Sequence, residues 1–155
     1  MNDDVELAYL AGAMDADGFF AIRLGRKGNS VSYFETMGLG QVSPIVPTML
    51  KQRFGGSVQI RKRTEPAAVN WRVMYYWLAT TRVAARATAE LQPYLRLKTH
   101  QADLLLALRE SKNLPYSERR KNHVGVRAYT TDPAIQAQRR SLFEEMIKTN
   151  RTGVH

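Results

Sequence analysis

Leu10-Ala11-Gly12-Ala13-Met14-Asp15-Ala16-Asp17-Gly18 is the segment on which the fold turns. It closes a stretch, residues 4–14, in which Leu7, Leu10, Ala11 and Met14 recur at helical spacing behind Asp3 and Asp4 as candidate caps. Ala8 and Gly12 are four apart, as are Ala11 and Asp15, so one stripe of this helix is small and admits the close approach of another backbone. The helix is expected to end at Met14, with Asp15, Asp17 and Gly18 forming the turn that follows. Two acids beside a glycine are ordinary turn chemistry. Carboxylates at a helix C-terminus also oppose the macrodipole, and a bound cation relieves that cost.

Downstream, residues 19–26 alternate: Phe20, Ile22 and Leu24 on one face, Phe19, Ala21, Arg23 and Gly25 on the other. A turn at 27–30 leads to a second extended run, 31–42, whose alternation is blurred by Gly38 and Gly40. A short helix over 44–54 carries Pro47 in its first turn and stops at Gly55-Gly56. Residues 57–63 and 70–78 alternate again around a loop at 64–69, and Trp71 and Trp77 read as packing residues. Helices follow over 81–91 and 99–112, then a basic loop over 113–131. A last helix starts at Asp132-Pro133 and runs to about Lys148. Two hairpins interleaved with helices predict an α+β fold: an αββαββα core with an antiparallel sheet, helices on one face and an extra C-terminal helix. The 155 residues fit a single domain, with its core over about 4–112 and a C-terminal loop and helix over about 113–155.

Charge points to the partner. Lys plus Arg is 23 against 14 for Asp plus Glu, a net +9 that favours a polyanion such as nucleic acid. The absence of cysteine excludes disulfides, thiolate zinc sites and cysteine nucleophiles, and suits a reducing, intracellular compartment. No run of apolar residues is long enough to span a membrane, and the acidic N-terminus suits neither a secretory signal nor a transit peptide. The three histidines, at 100, 123 and 155, are dispersed and are assigned no ligand role.

The segment from Leu10 to Gly18 resembles the LAGLIDADG motif of the homing endonucleases, matching it at seven positions and departing only at Ala13 and Met14, both apolar. The element order and the segment Leu91-Gln92-Pro93-Tyr94-Leu95-Arg96-Leu97-Lys98 extend the likeness over roughly residues 5–112. The resemblance implies a saddle-shaped sheet, a Mg²⁺ ion (with Mn²⁺ or Ca²⁺ able to replace it in binding) held by Asp17 and the Ala16 carbonyl, and a structural role for Asp15. One motif copy implies a homodimer whose motif helices meet through Ala8, Ala11, Gly12 and Asp15. Lys98 matches a family lysine near the scissile phosphate, where a cation stabilises developing charge. The polar residue that often positions water in the family is replaced here by Pro44, which has no side-chain donor.

The outward stripe of the second hairpin is Gln59, Arg61, Arg63, Asn70, Arg72, Met74 and Tyr76, and the first hairpin adds Arg23, Glu35 and Gln41. Arginine suits guanine, and glutamine and asparagine suit adenine, so these are the candidate base readers of double-stranded DNA. Lys27, Lys62 and the basic run at 119–121 suit phosphates. The resulting expectation is a homing endonuclease, from a prokaryotic cytoplasm or an organelle, that promotes insertion of the intron or other mobile element encoding it. The alternative is a cleavage-inactive RNA-splicing maturase or DNA-binding regulator on the same fold, with RNA binding expected only in the maturase case.

Overall fold

The computed structural model describes residues 3–62, 73–113 and 132–152. Their order is α1 (Asp3–Asp17), β1 (Gly18–Lys27), β2 (Ser30–Gln41), α2 (Ile45–Phe54), β3 (Ser57–Arg61), β4 (Met74–Thr80), α3 (Thr81–Leu91), a 3-10 turn (Gln92–Tyr94), α4 (Thr99–Glu110) and α5 (Pro133–Thr152). The expected α-β-β-α-β-β-α order with a further C-terminal helix is therefore observed. The sheet is antiparallel with strand order β1-β2-β4-β3, so the two hairpins join along β2 and β4 rather than lying in chain order.

Residues directly opposite in an antiparallel ladder share a face. Phe20 pairs with Met37, Leu39 with Trp77 and Met37 with Ala79. These side chains are buried, and with Leu10, Met14, Leu91 and Leu105 they form the core between the sheet and its helices. Trp77 donates its Nε1 hydrogen to the Gly55 carbonyl at 2.8 Å, which satisfies its one polar atom and fits its packing role. On the opposite face lie the pairs Arg23–Phe34, Gln59–Tyr76 and Arg61–Met74.

Two expectations are corrected. Helix α1 does not end at Met14 but runs through Asp17 and passes straight into β1 at Gly18. That junction admits only glycine, because a Cβ on Gly18 would lie 2.7 Å from the Met14 carbonyl oxygen and 2.8 Å from its Cα. Glu35, expected on the DNA-facing side, is opposite Ile22 on the covered face and 0% exposed. There it accepts hydrogen bonds from Arg109 and Lys112, each at 2.9 Å. Its partners come from α4 and the residues just after it, more than seventy positions downstream, and so are invisible in the strand pattern.

Helix α5 closes the far side of this ion cluster. Arg139 bonds the carbonyl and hydroxyl of Ser111, Gln136 bonds the Val31 carbonyl, and Asn150 bonds the Phe20 carbonyl. Among the described residues no helix is long and apolar enough to cross a membrane.

Candidate functional site

The last turn of α1 carries both motif acids but no basic residue, so it ends with two carboxylates against the negative end of the helix dipole. The compensation comes from elsewhere in the chain. Lys98, at the N-cap of α4, donates its Nζ hydrogens to the carbonyls of Met14 at 2.9 Å and Gly18 at 2.7 Å. Partial burial pushes the Lys98 pKa below the ordinary lysine value, and the charges of Asp15 and Asp17 pull it back. Its ammonium thus sits at the acid end of α1, tethered to backbone.

Asp15 is spent within its own chain. Its two oxygens accept the backbone N–H groups of Arg96 at 2.7 Å and Lys98 at 3.0 Å, which clamps the segment before α4 onto the motif helix. Asp17 is exposed, and its Oδ2 accepts a 2.7 Å hydrogen bond from Nε2 of Gln41. Among the described residues no three His, Cys, Asp or Glu side chains converge as metal ligands. The donor set at this helix end is one carboxylate, from Asp17, plus the exposed backbone of Ala16. Zinc requires a closed set of nitrogen and sulfur ligands, whereas Mg²⁺ takes one or two carboxylates and completes its shell with water and phosphate oxygens. The residues present therefore fit Mg²⁺.

The sheet face away from the helices carries Arg23, Gln59 and Arg61, all exposed, with Met74 and Tyr76 half-buried among them. The Arg61 guanidinium lies 4.5 Å from the centroid of the Tyr76 ring, a stacked pair that presents a planar donor fork to the outside. Lys27 and Lys62 are exposed nearby in sequence. The candidates Arg63, Asn70 and Arg72 lie outside the described residues, as do the basic run at 119–121 and Trp71. Gln41 departs from this row: it shares the covered face with Leu39 and Trp77 and reaches the acid end of α1.

A second surface lies on α1. Ala8 and Gly12 are exposed, as expected of a packing stripe, but Ala11 is 0% exposed and faces the chain's own core, which removes it from any interface. The stripe is flanked by large apolar side chains open to solvent: Val5 at 55%, Tyr9 at 51% and, at the start of α2, Ile45 at 63%. Sequence reasoning missed these three. Val5 and Tyr9 are four apart beside Ala8 and Gly12, so the helical spacing held the signal, but exposed apolar residues look like core until the fold is known.

A motif helix laid on a β1-β2-β4-β3 sheet, its acids at the strand junction, is the architecture of the LAGLIDADG homing endonucleases, and solved structures agree. The homing endonuclease I-CvuI, in complex with the I-CreI target and Mg with the DNA not cleaved, is 20% identical, covers 94% of this chain and 82% of its own, and has a TM-score of 0.67. The archaeal intron-encoded homing endonuclease I-Vdi141I, complexed with DNA, gives 14% identity, 95% and 85% coverage, and a TM-score of 0.67. The LAGLIDADG homing endonuclease I-GzeII, in complex with its DNA target, matches at 13% identity over 88% of this chain but 43% of its own, with a TM-score of 0.62. No protein-family profile matches the chain, and no curated protein does.

Proposed function

We propose that this protein is a sequence-specific endonuclease that cuts both strands of a long pseudo-palindromic DNA site as a homodimer, with Mg²⁺ as its cofactor. The observation that carries the reading is the exposed carboxylate of Asp17 at the end of a helix whose outer stripe is small and apolar. Pairing two such helices brings two copies of Asp17 together, one for each strand of a duplex. Asp17 and the Ala16 carbonyl hold the ion, which when bound stabilises the attacking and leaving oxygens of an in-line displacement. Lys98 places a cation at the same helix end, suited to charge developing on the phosphate. The outward sheet face, with Arg23, Gln59, Arg61, Met74 and Tyr76, enters the major groove, and the basic chain supplies the phosphate contacts. The DNA complexes of I-CvuI and I-Vdi141I and the magnesium in the former support this assignment, as does the match to less than half of I-GzeII, which leaves room for a second copy. The whole chain is read as one domain, and its encoding in an intron or other mobile element fits the activity.

Helix pairing has a test of opposite signs. A Cβ at Gly12 meets nothing within 4 Å in the single chain. Gly12→Leu therefore raises single-chain stability by roughly 0.5–1 kcal/mol through helix propensity. It also fills the space needed by a partner helix, so sedimentation shows a monomer and double-strand cutting is lost. A variant that stays dimeric and active removes this interface. On the sheet, Arg61→Ala relaxes preference at one base position by about 1–3 kcal/mol in a binding selection. A uniform loss across all sequences makes Arg61 a phosphate contact instead.

The reading as a whole is tested by exposing a randomised duplex library to the protein and Mg²⁺. Recovery of one long, near-palindromic site cut on both strands supports it. Binding without cutting favours a maturase or regulator, the reading to which Pro44, with no side-chain donor at the start of α2, lends weight.

A further inference from the structure

The Asp17 carboxylate does not stand free at the end of α1, because Gln41 donates to its Oδ2 at 2.7 Å. We infer that Gln41 is a positioning residue for the metal site, holding one oxygen of Asp17 so that the other is presented to a divalent cation; this rests on Asp17 being the metal ligand proposed above.

The register of the sheet produces the contact. Gly18 pairs with Leu39, so the junction of α1 and β1 runs beside the end of β2. Gln41, two residues past Leu39, pairs with Tyr75 at the end of the β2–β4 ladder. Its backbone is thus held by the sheet and its side chain shares the helix-covered face with Leu39 and Trp77. A carboxylate accepts hydrogen bonds, so it is the amide nitrogen that faces Asp17.

Alternatives within this loop are poorer. Pro44 has no side-chain donor, and the Ser43 hydroxyl oxygen accepts the Ile45 N–H at 3.3 Å. Base reading is also disfavoured for Gln41, because Arg23, Gln59 and Arg61 are exposed on the opposite face while Gln41 is half-buried with its amide engaged. A carboxylate in a magnesium site commonly gives one oxygen to the ion and has the other fixed by a hydrogen bond. Donors of that kind change metal affinity by about 10–100-fold.

The test uses the full chain bound to a duplex recovered by selection for binding without divalent metal. Mn²⁺ is titrated in and followed by electron paramagnetic resonance for the parent, Gln41→Met and Asp17→Asn. Methionine keeps the length of the side chain and removes the donor. The Mn²⁺ midpoint of Gln41→Met is expected about tenfold or more above the parent, with metal-free duplex affinity and melting temperature unchanged. If Asp17→Asn loses Mn²⁺ while Gln41→Met binds it like the parent, the positioning role is overturned and the metal reading stands. If neither variant moves the midpoint, both fall. If Gln41→Met instead weakens metal-free binding to the duplex at an unchanged midpoint, Gln41 is a DNA contact and the inference is wrong.

Discussion

Asp17→Asn is expected to lower the rate of metal-dependent cleavage by on the order of 10³-fold or more, while duplex binding in metal-free buffer is kept. The substitution preserves shape and removes one negative charge at the exposed end of α1. A Mg²⁺ site built on a single carboxylate per chain has no second acid to fall back on, since no cluster of three ligating side chains exists among the described residues. Binding rests on different groups, Arg23, Gln59 and Arg61 on the outward sheet face, and so survives. Removing a negative charge that faces phosphates is even expected to strengthen metal-free binding slightly. Single-turnover cleavage and a binding isotherm on the same duplex separate the two effects. A variant that cuts within a few-fold of the parent places the metal elsewhere.

Glu35→Ala is expected to have the largest effect on stability, about 3 kcal/mol, the low end of the range for breaking a buried ion pair because its two partners keep some solvent contact. Glu35 is fully buried, and both Arg109 and Lys112 donate to the same oxygen. Its removal leaves two cations partly buried without their anion. Burial already pushes the Lys112 pKa below its ordinary value, with the bond to Glu35 the main opposing influence. Arg139 of α5 is shifted the same way by burial and is likewise supported by the Glu35 charge, so the loss also loosens the C-terminal helix. For a chain of this size the melting temperature is expected to fall by roughly 6–12 °C. The measurement is a thermal melt of the parent and Glu35→Ala. Cutting per folded molecule, assayed well below the melt, should be unchanged, because Glu35 lies on the sheet face away from Arg23 and Arg61. A shift under a few degrees means that solvent reaches the cluster and screens it.

Much of this was legible in the residues. The nine residues from Leu10 to Gly18 carry the motif, and period-two alternation in β1, β3 and β4 set which side chains share a face, as the pairs Gln59–Tyr76 and Arg61–Met74 bear out. Alternation failed in β2, where Gly38 and Gly40 have no side chains to mark a face. Those glycines are demanded by neighbours distant in sequence, because a Cβ on Gly38 would meet the Trp77 carbonyl and one on Gly40 the Tyr76 ring. Glu35 and Gln41 were accordingly placed on the wrong side.

Local pattern determined the kinds of element, their order and the identity of the acids, because periodicity, caps and glycine act between residues a few positions apart. Tertiary structure decided which partner each charged group finds. The strand order β1-β2-β4-β3, the clamp of Asp15 on the Arg96 and Lys98 backbone, the reach of Lys98 to the end of α1, the burial of Glu35 and the bond from Gln41 to Asp17 all join segments 24 to 83 residues apart. Side-chain chemistry shows that a carboxylate needs a partner. Only the packing of sheet against helices brings one particular donor within 3 Å.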